Sequence, residues 1–125
     1  MSILPSIKLT INLNDPDLEP EHRDTQIQNL MAELKEMDEV NSVYRVRDNN
    51  PPQASKALGG FIIGLLTAEV NAKNAKQLFG FLGNRLSGKP IELEVEANGK
   101  SLKVKAHSRE ELEAAIKAAQ DFIAG

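Results

Sequence analysis

Ile91-Glu92-Leu93-Glu94-Val95-Glu96-Ala97-Asn98-Gly99-Lys100-Ser101-Leu102-Lys103-Val104-Lys105-Ala106 is the stretch from which the architecture follows. Ile91, Leu93 and Val95 alternate with Glu92, Glu94 and Glu96, and Leu102, Val104 and Ala106 alternate with Lys103 and Lys105. That period of two gives each strand one apolar and one charged face. Asn98-Gly99 between them is a two-residue loop suited to a type I′ turn, which needs positive φ at both central positions. With those residues in the loop, Ala97 pairs with Lys100, Val95 with Leu102, Leu93 with Val104, Glu94 with Lys103 and Glu92 with Lys105. Apolar pairs then share one face and opposite charges the other, and a slip of one residue would undo both matches.

Towards the C-terminus, Ser108-Arg109-Glu110-Glu111 is a capping box, in which the hydroxyl and the carboxylate three residues on satisfy orphan amides. Leu112, Ala115, Ile116, Ala119 and Ile123 give the helix that follows its buried stripe. At the other end of the chain, Ile7, Leu9, Ile11 and Leu13 alternate with polar residues and predict a first strand, ended by Asn14-Asp15-Pro16-Asp17. Pro20 suits a first helical turn, and Glu19 and Glu21 suit the positive end of the dipole. Ile27, Leu30, Met31, Leu34 and Met37 form the stripe of this helix, and a short second strand is expected over 42–47.

Pro51-Pro52 interrupts regular structure, because each ring removes a donor and restricts its neighbour. Beyond it, Ala57 to Ala68 is a run of twelve uncharged residues, and Leu78, Phe81, Leu82 and Leu86 then recur at helical spacing. With a break at Asn71 to Asn74, this region reads as a helical hairpin. The expected fold is therefore a single α+β domain in the order β-α-β-α-α-β-β-α. Its segments are β-α-β over 7–48, the Gly-rich hairpin over 54–88, and a β-hairpin with closing helix over 90–124. One mainly antiparallel four-stranded sheet with helices on one face would bury every stripe.

The chain has 125 residues, 41% of them apolar and 26% charged, enough for one core without staples. It has no Cys, which excludes disulfides and thiolate metal sites or nucleophiles. Aromatics make up only 4% and the net charge is −3, so nucleic acid is not an expected partner. Met1-Ser2-Ile3-Leu4-Pro5 lacks the features of a signal peptide, and a cytoplasmic protein is expected. Neither histidine suggests catalysis: His22 lies in an acidic helix start, and His107 has no sequence-local Ser, Asp or second His. The glycines match neither a P-loop nor a dinucleotide fingerprint. The row Glu92, Glu94, Glu96 reads as a charge-paired sheet face rather than a metal site. No catalytic residue, metal or cofactor is expected.

The central segment is the candidate for function. Six of the eight glycines fall between positions 59 and 88. From Val70 to Ile91 there is no acid, while Lys73, Lys76, Arg85 and Lys89 make the segment +4 and leave −7 on the remainder. As a helix, residues 57–68 would be apolar nearly all round, yet about 18 Å long, short of the roughly 30 Å bilayer core. Gly60 and Gly64, four apart, would admit a second helix closely. Three readings stay open here: a core hairpin, a subunit interface, and reversible contact with an anionic membrane. The interaction residues expected are Gly60, Phe61, Gly64, Leu65, Lys73, Lys76, Phe79 and Arg85.

Four stretches carry a resemblance. They are Gln26 to Leu34 leading into Val43–Val46; Pro51-Pro52 followed by Ala57-Leu58-Gly59-Gly60; the apolar run ending Phe81-Leu82-Gly83-Asn84-Arg85-Leu86; and the hairpin from Ile91 to Val104 with the closing helix. Over residues 7–123 the chain resembles the effector-associated constant component proteins of bacterial conflict systems. It departs from them in its many lysines and its Asn and Gln content, where many relatives are rich in Arg and Ala. The resemblance implies a non-enzymatic adaptor, sensor or regulator beside a variable effector, such as a caspase-like or trypsin-like protease. The expected partners are an effector protein or further copies of the chain, with transient membrane contact as the alternative.

Overall fold

A computed structural model describes residues 6–50, 53 and 59–124. Among them are β1 (Ser6–Leu13), α1 (Pro20–Lys35), β2 (Val40–Tyr44), β3 (Leu65–Asn71), a 3-10 turn (Ala72–Asn74), α2 (Ala75–Arg85), β4 (Ile91–Ala97), β5 (Lys100–Ala106) and α3 (Arg109–Ala124). The fold is α+β, with one antiparallel sheet in the order β2-β3-β1-β4-β5. The β4–β5 register is the one that the sequence predicts, from Ala97–Lys100 to Glu92–Lys105. Asn98 and Gly99 have φ of 56° and 75°, as the turn requires. Helix α1 begins at Pro20. The second strand starts at Val40 and ends at Tyr44, shifted from the expected 42–47.

The central segment corrects the expectation of a helical hairpin. Leu65–Asn71 is a strand, and it sits inside the sheet between β2 and β1, which makes the sheet five-stranded rather than four-stranded. A long uncharged run reports burial, and burial alone does not distinguish a helix from an interior strand. Leu66, Ala68 and Val70 pair with Ile11, Leu9 and Ile7 on one side, and Ala68 and Val70 with Val43 and Val40 on the other. The three glycines ahead of the strand, Gly59, Gly60 and Gly64, all have positive φ, which no α-helix accommodates. The Pro51-Pro52 break and the expected helix start at Ala57-Leu58 lie outside the described residues. The second helix of the expected hairpin does exist as α2, with Leu78, Phe79 and Leu82 buried.

Among the described residues, α1, α2 and α3 cover one face of the sheet. On that face lie Ile7, Leu9, Ile11 and Leu13 of β1, Leu66, Ala68 and Val70 of β3, and Ile91, Leu93 and Val95 of β4, all buried. Helix α1 packs on β2 and β3, and α3 on β5 and β4. Helix α2 joins them: Arg85 Nε donates to Glu33 Oε2 of α1 at 2.8 Å, and a Cβ at Gly83 would lie 3.2 Å from Ile116 Cδ1 of α3. On α3 only Leu112, Ala115 and Ala119 of the expected stripe are buried. Ile116 and Ile123 are half-exposed and face α2.

Candidate interaction surface

The structure divides the eight expected interaction residues into two groups. Gly60, Phe61, Gly64 and Leu65 belong to the turn that enters β3, where they serve the fold. Phe61 forms an isolated bridge with Arg47, and its ring lies 5.1 Å from the Arg45 guanidinium and 4.8 Å from that of Arg47. Arg45 is buried and pairs with Asp24 of α1. It also donates to the carbonyls of Ile62 (3.1 Å) and Leu65 (3.0 Å), which fixes the path of the turn. Gly64 sits against β1: its carbonyl accepts from the Leu13 N–H at 2.7 Å, and a Cβ there would fall 2.8 Å from the Leu13 oxygen. A leucine at Gly64 would therefore strain the monomer before it touched any partner. Asp24 and Arg45 were missed by the sequence reading. The signal was Asp24 itself, in line with Ile27, Met31 and Leu34 on the stripe of α1, because a buried charge needs a partner.

Lys73, Lys76 and Arg85 remain together on α2 and the turn before it, whereas Phe79, also on α2, is buried in the core at 1% exposure and is not an interaction residue. Along the seam between α2 and α3 run two hollows of about 610 and 390 Å³, which adjoin at Phe79 and Gln120. Ala72, Ala75, Phe79 and Ile123 make the first apolar, with Lys73, Lys76 and Asp121 on its rim. Gly80, Gly83, Asn84 and Ile116 line the second, with Arg109, Glu113 and Lys117 beyond them. Lys73 and Lys76 are exposed, and among the described residues neither makes an ion pair. Arg85, by contrast, is committed to Glu33. Gly80 is exposed in mid-helix, and a Cβ there would meet nothing within 4 Å. Its missing side chain serves no contact within this chain, although glycine costs a helix about 1 kcal/mol relative to alanine.

The opposite face of the sheet is polar and largely paired with itself. Lys105 Nζ lies 3.3 Å from Glu92 Oε1, Asn12 donates to Glu92 Oε2 at 3.4 Å, and Glu94 stands opposite Lys103. Exposed Lys8 is held protonated above its ordinary range, first by Tyr44 and then by Glu96 and Glu69. Of the Glu92–Glu96 row, Glu92 makes the ion pair that its spacing predicts, and Glu94 faces Lys103 in register without an ion pair among the described residues. His107 serves the start of α3: its N–H donates to Glu111 Oε1 at 2.6 Å, while the Glu111 N–H donates to Ser108 Oγ at 3.1 Å. The capping box therefore forms with its carboxylate one residue further back than the motif has it. Among the described residues no helix is long and apolar enough to cross a membrane. Comparison with known proteins finds no match to this chain, whether among family models, curated proteins or solved structures.

Proposed function

We propose that the chain is a non-enzymatic interaction module, a constant adaptor or regulatory component acting with a variable effector, such as a caspase-like or trypsin-like protease, in a bacterial conflict system. The context comes from the resemblance over residues 7–123, and the contact surface from the seam between α2 and α3. The observation that carries the reading is Gly80, a helical glycine which the fold does not need, beside an apolar groove open to solvent. Both sheet edges are poorly suited to the same task. β2 is short and its pairing is irregular between Val40 and Ser42, and β5 presents exposed Lys100, Lys103 and Lys105. Against the membrane alternative, Leu66, Thr67 and Ala68 are buried in the sheet rather than displayed on a helix, while the exposed Lys73 and Lys76 of its basic stretch serve the interaction reading equally.

Co-expression with the product of each neighbouring gene, followed by co-purification, tests the proposal. The native chain is expected to retain an effector, and Gly80→Trp, with an unchanged circular dichroism spectrum, to lose it. A chain that retains no neighbouring product would overturn the reading.

A further inference from the structure

We infer that the groove between α2 and α3 is the seat of an acidic amphipathic helix supplied by the partner protein, with its carboxylates against Lys73 and Lys76. This assignment rests on the interaction-module reading and adds the chemistry of the partner.

Charge is the first argument. A helix N-terminus favours acidic side chains, because its free N–H groups form the positive end of the dipole. Helix α2 has the reverse arrangement: no acid in its first turn, no side-chain cap from Asn74, and Lys73 and Lys76 flanking that turn. Neither ammonium makes an ion pair among the described residues, and with Asp121 on the same rim the two lysines leave the hollow net positive. Local preference is thus violated where an apolar groove begins, and such conflicts collect at functional sites. An incoming carboxylate would satisfy the lysines and the dipole together.

Shape is the second argument. The two adjoining hollows extend from Ala72 in the 3-10 turn, along α2, to Ser87 beyond its end. The eleven residues of α2 rise about 16 Å, which matches a partner helix of about three turns. Apolar side chains at i, i+3, i+4 and i+7 would lie over the half-exposed Ala72, Ile116 and Ile123, and the bare backbone at Gly80 would let the helices approach closely. A strand would need a free sheet edge, and no residue of β2 or β5 lines the groove. The concave, helix-sized floor favours a single rod over a flat lipid surface.

The test uses the intact chain and a fluorescein-labelled, end-capped helical peptide of about 14 residues. Leucine occupies i, i+3, i+4 and i+7, and glutamate and alanine the rest. Two further arms replace the glutamates with lysine or offer phosphatidylglycerol vesicles. The acidic peptide is expected to bind with an affinity that falls as salt rises, and the basic peptide to bind at least tenfold more weakly. Lys73→Glu with Lys76→Glu should weaken acidic-peptide binding about tenfold or more, and Gly80→Trp should abolish it. Lys35→Glu with Lys100→Glu, the same charge change on exposed sites elsewhere, should leave binding nearly unchanged. Equal binding of both peptides, indifference to the reversal at positions 73 and 76, or binding to vesicles alone would overturn the assignment. An effector whose co-purification survives that reversal would overturn it too, while leaving the adaptor function standing. Peptide binding by a chain that retains no effector would support the seat and remove the adaptor function.

Discussion

A methyl group at Gly64 would meet the Leu13 oxygen at 2.8 Å on a backbone with φ of +76°. The left-handed conformation costs an L-residue roughly 1–2 kcal/mol, and displacing a β1 backbone atom adds to it. Gly64→Ala is therefore expected to lower the unfolding free energy by more than about 2 kcal/mol in urea titration. Gly88→Ala, with φ of +82° but nothing within 4 Å of the new Cβ, isolates the conformational part and should cost about half as much. Equal losses at both positions would show that the contact with Leu13 carries no strain. The sequence makes the clustering of glycines at 59–88 plain but does not assign their roles. Spacing alone gives Gly60 and Gly64 the look of a helix contact, whereas their positive φ makes them turn residues. Positive φ depends on where the chain must turn, here around the end of β1.

At the scale of elements, β1, α1, β4, β5 and α3 were legible because each has one buried and one solvated face, and alternation or helical spacing reports that asymmetry. β3 was not, because the uncharged run from Ala57 through Phe61-Ile62-Ile63 continues into its first half and masks the alternation of its own residues. The clue lay in Leu66, Ala68 and Val70 alternating with Thr67, Glu69 and Asn71, a period of two within the supposed helix. The candidate surface was half legible: the charge bias singled out Lys73 and Lys76, at the expected break and in the helix after it, but the opposite wall of the groove comes from α3, which no local pattern connects with α2. Helix α2 supports its own prediction. Gly80→Ala adds a Cβ in open space and removes a helical glycine, so it should raise stability by up to about 1 kcal/mol, or a few degrees in Tm. A calorimetric scan showing lower Tm would mean that the glycine is required by the fold, which would remove the argument for a partner at that position.

In the whole molecule, β2 is an edge strand whose sheet neighbour is β3, and the chain reaches β3 only through the turn at 59–64. The Asp24–Arg45 pair ties these parts together. Asp24 comes from α1, Arg45 immediately follows β2, and the carbonyls that Arg45 also satisfies, of Ile62 and Leu65, lead into β3. Both side chains are nearly buried, at 2% and 5% exposure, so removing one charge leaves the other buried without its counter-charge. Asp24→Ala is expected to cost about 3–5 kcal/mol in urea denaturation, against 1 kcal/mol or less for Glu113→Ala in the exposed Arg109–Glu113 pair. Replacing both partners, Asp24→Leu with Arg45→Met, removes the buried charge but frees the Ile62 and Leu65 carbonyls. The double variant should therefore recover only part of the loss, since unsatisfied buried carbonyls carry their own penalty of about 1–3 kcal/mol. A cost below about 1 kcal/mol for Asp24→Ala would show that Arg45 finds other partners and that the turn into β3 is held by its backbone bonds alone.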